Sequence, residues 1–378
     1  STMRGRVDRQ QTMFAAFDPE QFVPDNHPLR PIKRWADGVL RAMSRDFDAA
    51  YGRTGRPGVP PERMLKALLL QALYSIPSES KLVEAIQYSI LYRWFVDLPL
   101  EEDCWTQEAF SMNRERFELH ELCRKFFDRV VAEGIERDLV SPDHFTVDGT
   151  LIRSLASHKS LEPIDKGDDD GNADDDETGG GRDVLVGWHG QKRSNATHRS
   201  RTDPDARLAR KGNGREAHLS HSGHILMDNR SGLCLAAAVD TADGHAERRN
   251  ALRMLRRVER HHGLRPRTLG ADAGYRAGSF LVEVEGHGTV PHVPMPGEKI
   301  KGRSAEAQAR RRARRRMQTA GYRLSQRVRK RCEQIIGWAK TTAGLARTRF
   351  VGHERIESSV QMAMAAYNLL RMTRMTPT

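Results

Sequence analysis

Cysteine is scarce and scattered. Cys104, Cys123, Cys234 and Cys332 form no C-x-x-C pair and no dense framework, which excludes a disulfide scaffold and leaves four reduced, small, buried side chains. Long apolar runs are missing too. A stretch such as Met64–Leu73 is broken by polar residues well short of a membrane span, and no signal-peptide pattern opens the chain, so a cytoplasmic protein is expected. Ser1 and Thr2, ahead of Met3, read as an expression remnant and are left out of the fold. Nor is there an excess of acid. Lys and Arg number 62 against 50 Asp and Glu, a net charge of +12 with 30% of residues charged, which favours a polyanionic partner, most simply a nucleic acid.

The 378 residues suffice for two domains with proper cores. Residues 1–24 lack periodicity and read as an irregular arm. Residues 25–140 read as an all-helical domain. Leu29, Ile32, Trp35, Val39, Leu40, Met43 and Phe47 recur at helical spacing between His27 and Tyr51. Prolines at 60 and 61 start a second helix, and a serine of the Ile76–Ser80 break caps a third that carries Leu82 to Phe95. These last two make either a helix-turn-helix or a plain helical hairpin. A further long helix is expected from Thr106 to about Gly134. At Pro142 the texture changes, and residues 141–378 read as an α/β domain with a charged insertion at about 160–215.

Three carboxylates in that domain stand out. Phe145-Thr-Val-Asp148-Gly-Thr-Leu-Ile-Arg reads as a buried strand whose glycine lets the backbone turn and leaves Asp148 at an edge. Thr268-Leu-Gly-Ala-Asp272-Ala-Gly-Tyr ends a second strand, with small neighbours that admit a bulky ligand. On a single helix, Gln326, Arg329, Glu333, Gly337 and Lys340 share one stripe, and Val328, Cys332, Ile335 and Ala339 form the apolar stripe beside it. Taken alone, Glu333 reads as ion-paired with Arg329 and Lys340. Three carboxylates on three elements are also what two Mg²⁺ ions need for phosphodiester chemistry, with Mn²⁺ as substitute, because hard cations take oxygen ligands and magnesium keeps several waters. Arg329 and Lys340 would then meet phosphates, and the bare Gly337 would leave room for a DNA backbone. Asp143, Asp228, Asp240 and Glu247 are rivals, each in a turn or a cap.

Other motifs carry less. Asp168–Glu177 fails the calcium-loop spacing, since Lys166 falls at the first ligand, and reads as a solvated acidic insertion. The basic run Gly190–Arg201 follows it and suits phosphate backbone. His218, His221 and His224 alternate faces along a strand of the expected β-hairpin 217–240, so one metal cannot collect them. Gly297–Ser304 resembles a phosphate-binding loop but has Arg303 where the lysine belongs. Arg310, Arg311, Arg312, Arg314, Arg315 and Arg316 crowd like charges into two turns, which points to a polyanion. Residues 360–371 supply a closing apolar helix.

With these residues in view, the chain resembles bacterial insertion-sequence transposases of the DDE type, in the group that includes the IS-five and IS-four elements. The resemblance runs through Phe22–Leu29, Asn113-Arg-Glu-Arg-Phe, Val147-Asp-Gly-Thr, Ala271-Asp-Ala-Gly-Tyr and Arg329-x3-Glu333-x6-Lys340. It implies an RNase H-like catalytic domain behind an all-helical region for end recognition and assembly. It implies Asp148, Asp272 and Glu333 as the metal-binding triad, with Arg329 and Lys340 as DNA contacts; Gln326, on the same stripe, is read as a further DNA contact. The partners implied are terminal inverted repeats and target DNA, and a homodimer that pairs two ends. The family signature has a tyrosine where this chain has Gln326, and the interval from Asp272 to Glu333 is too short for an inserted β-domain. A nuclease or resolvase without strand transfer, and a non-catalytic DNA-binding repressor, are the alternatives.

Overall fold

Phe145, Thr146 and Val147 are fully buried, as aromatic and β-branched residues are on an interior strand, and they centre the sheet. A computed structural model describes residues 18–51, 58–164, 185–186, 192–212 and 214–375. Most of the expected N-terminal arm and the whole acidic run Asp168–Glu177 lie outside the described residues.

The helical region comprises α1 (Pro19–Phe22), α2 (Leu29–Ala42), α3 (Ser44–Ala50), α4 (Pro61–Leu73), α5 (Glu79–Tyr88), α6 (Ile90–Phe95), α7 (Gln107–Leu119) and α8 (Leu122–Glu136). Proline opens α4 and the Ser78 hydroxyl caps α5 by accepting from the Lys81 N–H at 3.1 Å. Three helices expected to be continuous are broken. The first divides at Met43, the one carrying Leu82 to Phe95 at Ser89, whose hydroxyl caps α6 by accepting from the Tyr92 N–H at 3.3 Å, and the last at His120–Glu121, where Glu121 takes a left-handed φ of 51°. Apolar periodicity runs through all three breaks, which is why the pattern conceals them.

The sheet follows: β1 (His144–Arg153), β2 (Leu161–Pro163), β3 (Leu185–Val186), β4 (Lys192–Arg193), β5 (His198–Ser200), β6 (Arg207–Ala209), β7 (His218–Asp228) and β8 (Cys234–Thr241). Helix α9 (Ala246–His262) leads to β9 (Thr268–Gly270), α10 (Gly278–Gly286), β10 (Val290–His292), α11 (Ala305–Arg316), α12 (Ala320–Arg329), α13 (Arg331–Thr341) and α14 (His353–Met375). The main sheet runs β10-β9-β1-β7-β6, with β8 also on β7. It is mixed. β1, β9 and β10 are parallel, and β7 is antiparallel to β1, β6 and β8. The expected hairpin is thus β7 and β8. β2 with β5 and β3 with β4 form small ribbons inside the insertion.

Helix α14 is buried on every side from Val360 to Leu369 because it lies between two layers, packing on α8, α4 and α2 and on β8. The Asn368 amide fastens it to the sheet, accepting from the Cys234 N–H at 2.9 Å and donating to the Cys234 carbonyl at 2.8 Å. One hydrophobic core therefore extends from Val23 to Met372. All four cysteines are free, but Cys104 is only half-buried.

Candidate active site

In the parallel ladder between β1 and β9, Thr146 faces Gly270. β9 ends there, so two residues on, Asp148 still lies on β1 while Asp272, just past the end of β9, caps a 3₁₀ turn beside it. The expected turn at Gly149 does not occur. β1 continues to Arg153 against β7, and it is the end of β9 that opens the sheet beside Asp148. The Asp148 Oδ1 accepts from the Gly149 N–H at 2.9 Å, and the Asp272 Oδ1 accepts from the Gly274 N–H at 2.8 Å, starting a short 3₁₀ turn. Burial chiefly, with Asp272 and Glu333 adding repulsion, raises the Asp148 pKa against the opposing pull of the Gly149 amide and Arg329.

Glu333 arrives from the other side. The expected single helix over 326–340 is two, meeting at Lys330, so Arg329 ends one helix and Glu333 lies in the first turn of the next, at the positive end of its dipole. The joint is pinned to the strand ends. Gln326, expected to face DNA, donates its amide to the carbonyls of His292 at 2.8 Å and Ala271 at 3.3 Å. Arg331 donates to the Asn229 carbonyl at 2.8 Å. Arg329 reaches Asp148, Nη1 to Oδ2 3.7 Å. Among the described residues Glu333 has no ion pair with Arg329 or Lys340, so the ordinary surface-pairing reading is not what the side chains do.

A fourth carboxylate, ranked low from sequence, comes into the same space. Glu247 sits in the first turn of α9. A Cβ placed on Gly149 would lie 3.3 Å from Glu247 Oε1, and one on Gly274 would lie 2.8 Å from Glu247 Oε2 and 3.0 Å from Asp272 Oδ1. The side chain thus bridges the glycines that follow the two aspartates. Burial, then Asp272 and Asp148, raises its pKa, with Arg248 opposing. The other rivals have structural partners. Asp228 accepts from the Ser231 N–H at 2.8 Å and hydroxyl at 2.6 Å, Asp240 from Arg249 at 2.8 Å and Asn250 at 2.6 Å, and Asp143 from the Ser141 hydroxyl at 2.9 Å. The signal in the sequence was an acid at a helix start with a glycine two residues or fewer behind each aspartate.

The cations divide into two sets. Lys340 is half-buried, and burial first, then Lys211 and Arg153, lowers its pKa. Three positive groups therefore cluster near the end of β1. On α11, Arg312 and Arg316 grip Glu285 at 2.5 and 2.7 Å. Burial would raise that carboxyl, but these hydrogen bonds hold it below the usual range. Arg311 donates to the carbonyls of Ile300, at 3.0 Å, and Gly302, and Arg314 to those of Gly297 and Glu298 at 2.6 and 2.7 Å. Arg310 and Arg315 are exposed and have no partner among the described residues.

The histidines separate as alternation requires. His221 is fully buried with Asp203, Nε2 to Oδ2 2.9 Å, and His224 packs beside Gly149. His218 instead meets His158 and Glu216, their ligand atoms within 4.8 Å of one another, a grouping invisible in sequence because His158 is remote.

The carboxylate set suits hard divalent cations by donor type; among the described residues no three of its members bring ligand atoms within 4.8 Å of one another. Its donors are all oxygen, its charges repel, and one arginine is the only cation paired with it among the described residues. No helix among the described residues is long and apolar enough to cross a membrane. No curated protein and no solved structure gives a significant match. Residues 17–116 match the family described as Transposase domain (DUF772), and residues 186–369 match the family Transposase DDE domain, which generally works with divalent metals. Asp272, Glu333 and Glu247 fall inside the second match, and Asp148 lies between the two. Two transposase family models thus match separate parts of the chain, one on the helical region and one on most of the α/β region.

Proposed function

We propose that the protein is an insertion-sequence transposase resembling the IS-five and IS-four group, which cuts DNA at the terminal inverted repeats of its element and joins the ends to target DNA. The reading rests on one observation above all: Asp148 on β1 and Asp272 just past the end of the adjacent parallel strand β9, with Glu333 carried towards them by a helix joint tied to those same strand ends. Strands so ordered, with helices on the sheet, fit an RNase H-like domain.

Asp148, Asp272 and Glu333 would hold Mg²⁺, or Mn²⁺ in its place. Bound there, a pair of such ions supplies activation of the attacking oxygen and stabilisation of the leaving oxygen. The chain's own residues do the rest. Arg329 opposes the upward pull of burial on the Asp148 pKa, and its guanidinium, 3.7 Å from the carboxylate, is placed to meet a phosphate bound there. Gln326 holds Ala271, and hence the start of the Asp272 turn, against β10. Lys340, Lys211 and Arg153 form a path for the DNA backbone leading away from the carboxylates, and Arg310 and Arg315 offer a second contact. Two protomers would pair two ends, giving a homodimer in the assembled complex.

The test is to incubate the protein with Mg²⁺ and DNA carrying the inverted repeats that flank its gene, then sequence the products. Junctions between an element end and new target DNA support strand transfer. Cleaved ends with no junctions would make it a nuclease, and intact DNA in a bound complex would make it a repressor.

A further inference from the structure

We propose that Glu247 is a fourth oxygen ligand of the metal centre, an assignment that rests on the two-metal reading above. Its two carboxylate oxygens lie against the glycines that follow different aspartates: Oε1 is 3.3 Å from a Cβ position on Gly149, which follows Asp148, and Oε2 is 2.8 Å from one on Gly274, two residues after Asp272. A side chain at Gly274 would displace it and one at Gly149 would press on it, so the two bare positions and the acid form one arrangement. Glu247 accepts no hydrogen bond and makes no ion pair among the described residues, whereas Asp143, Asp228 and Asp240 each have donors of their own.

A second observation is independent of the acids. Tyr275 is 1% exposed and its hydroxyl has no hydrogen-bond partner. A buried, unpaired hydroxyl is costly. Tyr275 ends the 3₁₀ turn that Asp272 caps, and that turn packs against α9, which carries Glu247, so the orphan donor borders the same space. A carboxylate shifted slightly by a bound cation, or a water of that cation's shell, gives the hydroxyl an acceptor. Two divalent ions also balance four carboxylates and one guanidinium better than the acids balance one another. Glu247 thus adds a carboxylate from α9 to those supplied by β1, the turn after β9 and α13.

The experiment titrates the full-length protein with Mn²⁺ alone, without DNA, by calorimetry, and follows melting with and without the ion. Wild type is compared with Glu247→Gln, Glu247→Asp and Asp148→Asn. Glu247→Gln is expected to melt higher than wild type without metal, since it relieves like-charge crowding, and to bind Mn²⁺ at least roughly tenfold more weakly. Glu247→Asp, which keeps the charge and shortens the reach, is expected to fall between them. If Glu247→Gln binds Mn²⁺ like wild type while Asp148→Asn does not, the assignment is overturned and the two-metal reading stands. If Asp148→Asn also binds like wild type, or nothing binds, the reading itself falls. A metal-free Glu247→Gln protein that melts well below wild type would give the residue a structural role instead. Should it fail to fold, Glu247→Asp decides, and an affinity equal to wild type overturns the proposal.

Discussion

Asp148 and Asp272 are neighbours because Thr146 pairs with Gly270 in a parallel ladder, so two residues further on one acid lies on β1 and the other just past the end of β9. A one-residue slip would turn one of them to the opposite face. Their joint presentation is thus a property of the register, fixed by the buried Phe145, Val147 and Leu269.

Asp148→Asn, Asp272→Asn and Glu333→Gln are each expected to reduce end cleavage by more than the roughly hundredfold that loss of an outer-shell partner costs, with DNA binding largely kept. Gel assays of cleavage and of binding on the same end fragment check this. Near-wild-type cutting by any one removes that residue from the site.

Arg329 lowers the Asp148 pKa that burial raises. Removing it must raise that pKa further, and the carboxylate must be ionised to hold a cation. In Arg329→Ala the acid limb of metal binding is therefore expected to move to higher pH, measured by Mn²⁺ titrations at pH steps. A limb that stays in place would show that the 3.7 Å pair has no electrostatic effect.

Gly274→Ala tests the crowding at the site. The added methyl would come within 2.8 Å of Glu247 and 3.0 Å of Asp272, and both contacts are movable side-chain ends, so the fold should survive. Cleavage is expected to drop at least about tenfold, as small displacements at a reacting centre do, with a melting temperature within a few degrees of wild type.

His224 is buried with neither ring nitrogen hydrogen-bonded, and burial chiefly pushes its pKa down to about 4. Its unfolded value is near 6.5, so the folded state binds the proton less well. The stability is complete above pH 6.5 and is lost as pH falls from there towards 4. His224→Leu is expected to flatten that loss while leaving melting near pH 8 almost unchanged, since an apolar side chain of similar size leaves no donor stranded.

The two sets of arginines on α11 should behave differently. Replacing Arg310 and Arg315 with alanine is expected to leave melting unchanged and to reduce the salt dependence of DNA binding by about one to two charges. Replacing Arg312 and Arg316 strands Glu285 and lowers the melting temperature, because both grip that carboxylate. Binding titrations across salt concentrations, paired with thermal melts, separate the two.

Much of this was legible from residues alone. The strand before Asp148, the hairpin of β7 and β8 and the helix carrying Glu333 follow from period and turn chemistry. The breaks at Met43, Glu121 and Lys330 were not, because apolar spacing continues across each while the backbone changes direction. Glu247 was hidden for another reason. An acid near a helix start is ordinary, and only the folded approach of α9 to Gly149 and Gly274 distinguishes it. The arginine run was read as one cationic face because Glu285, which occupies two of its members, lies on a separate helix.

Helix α14 has the helical region on one side and β8 on the other, and it follows both in the chain. Neither layer has its full interior until that segment docks, so a chain cut short before His353 exposes two apolar surfaces at once. The part that would recognise DNA and the part that would cut it therefore mature together, and an incomplete copy of the protein is denied both abilities by the same missing wedge.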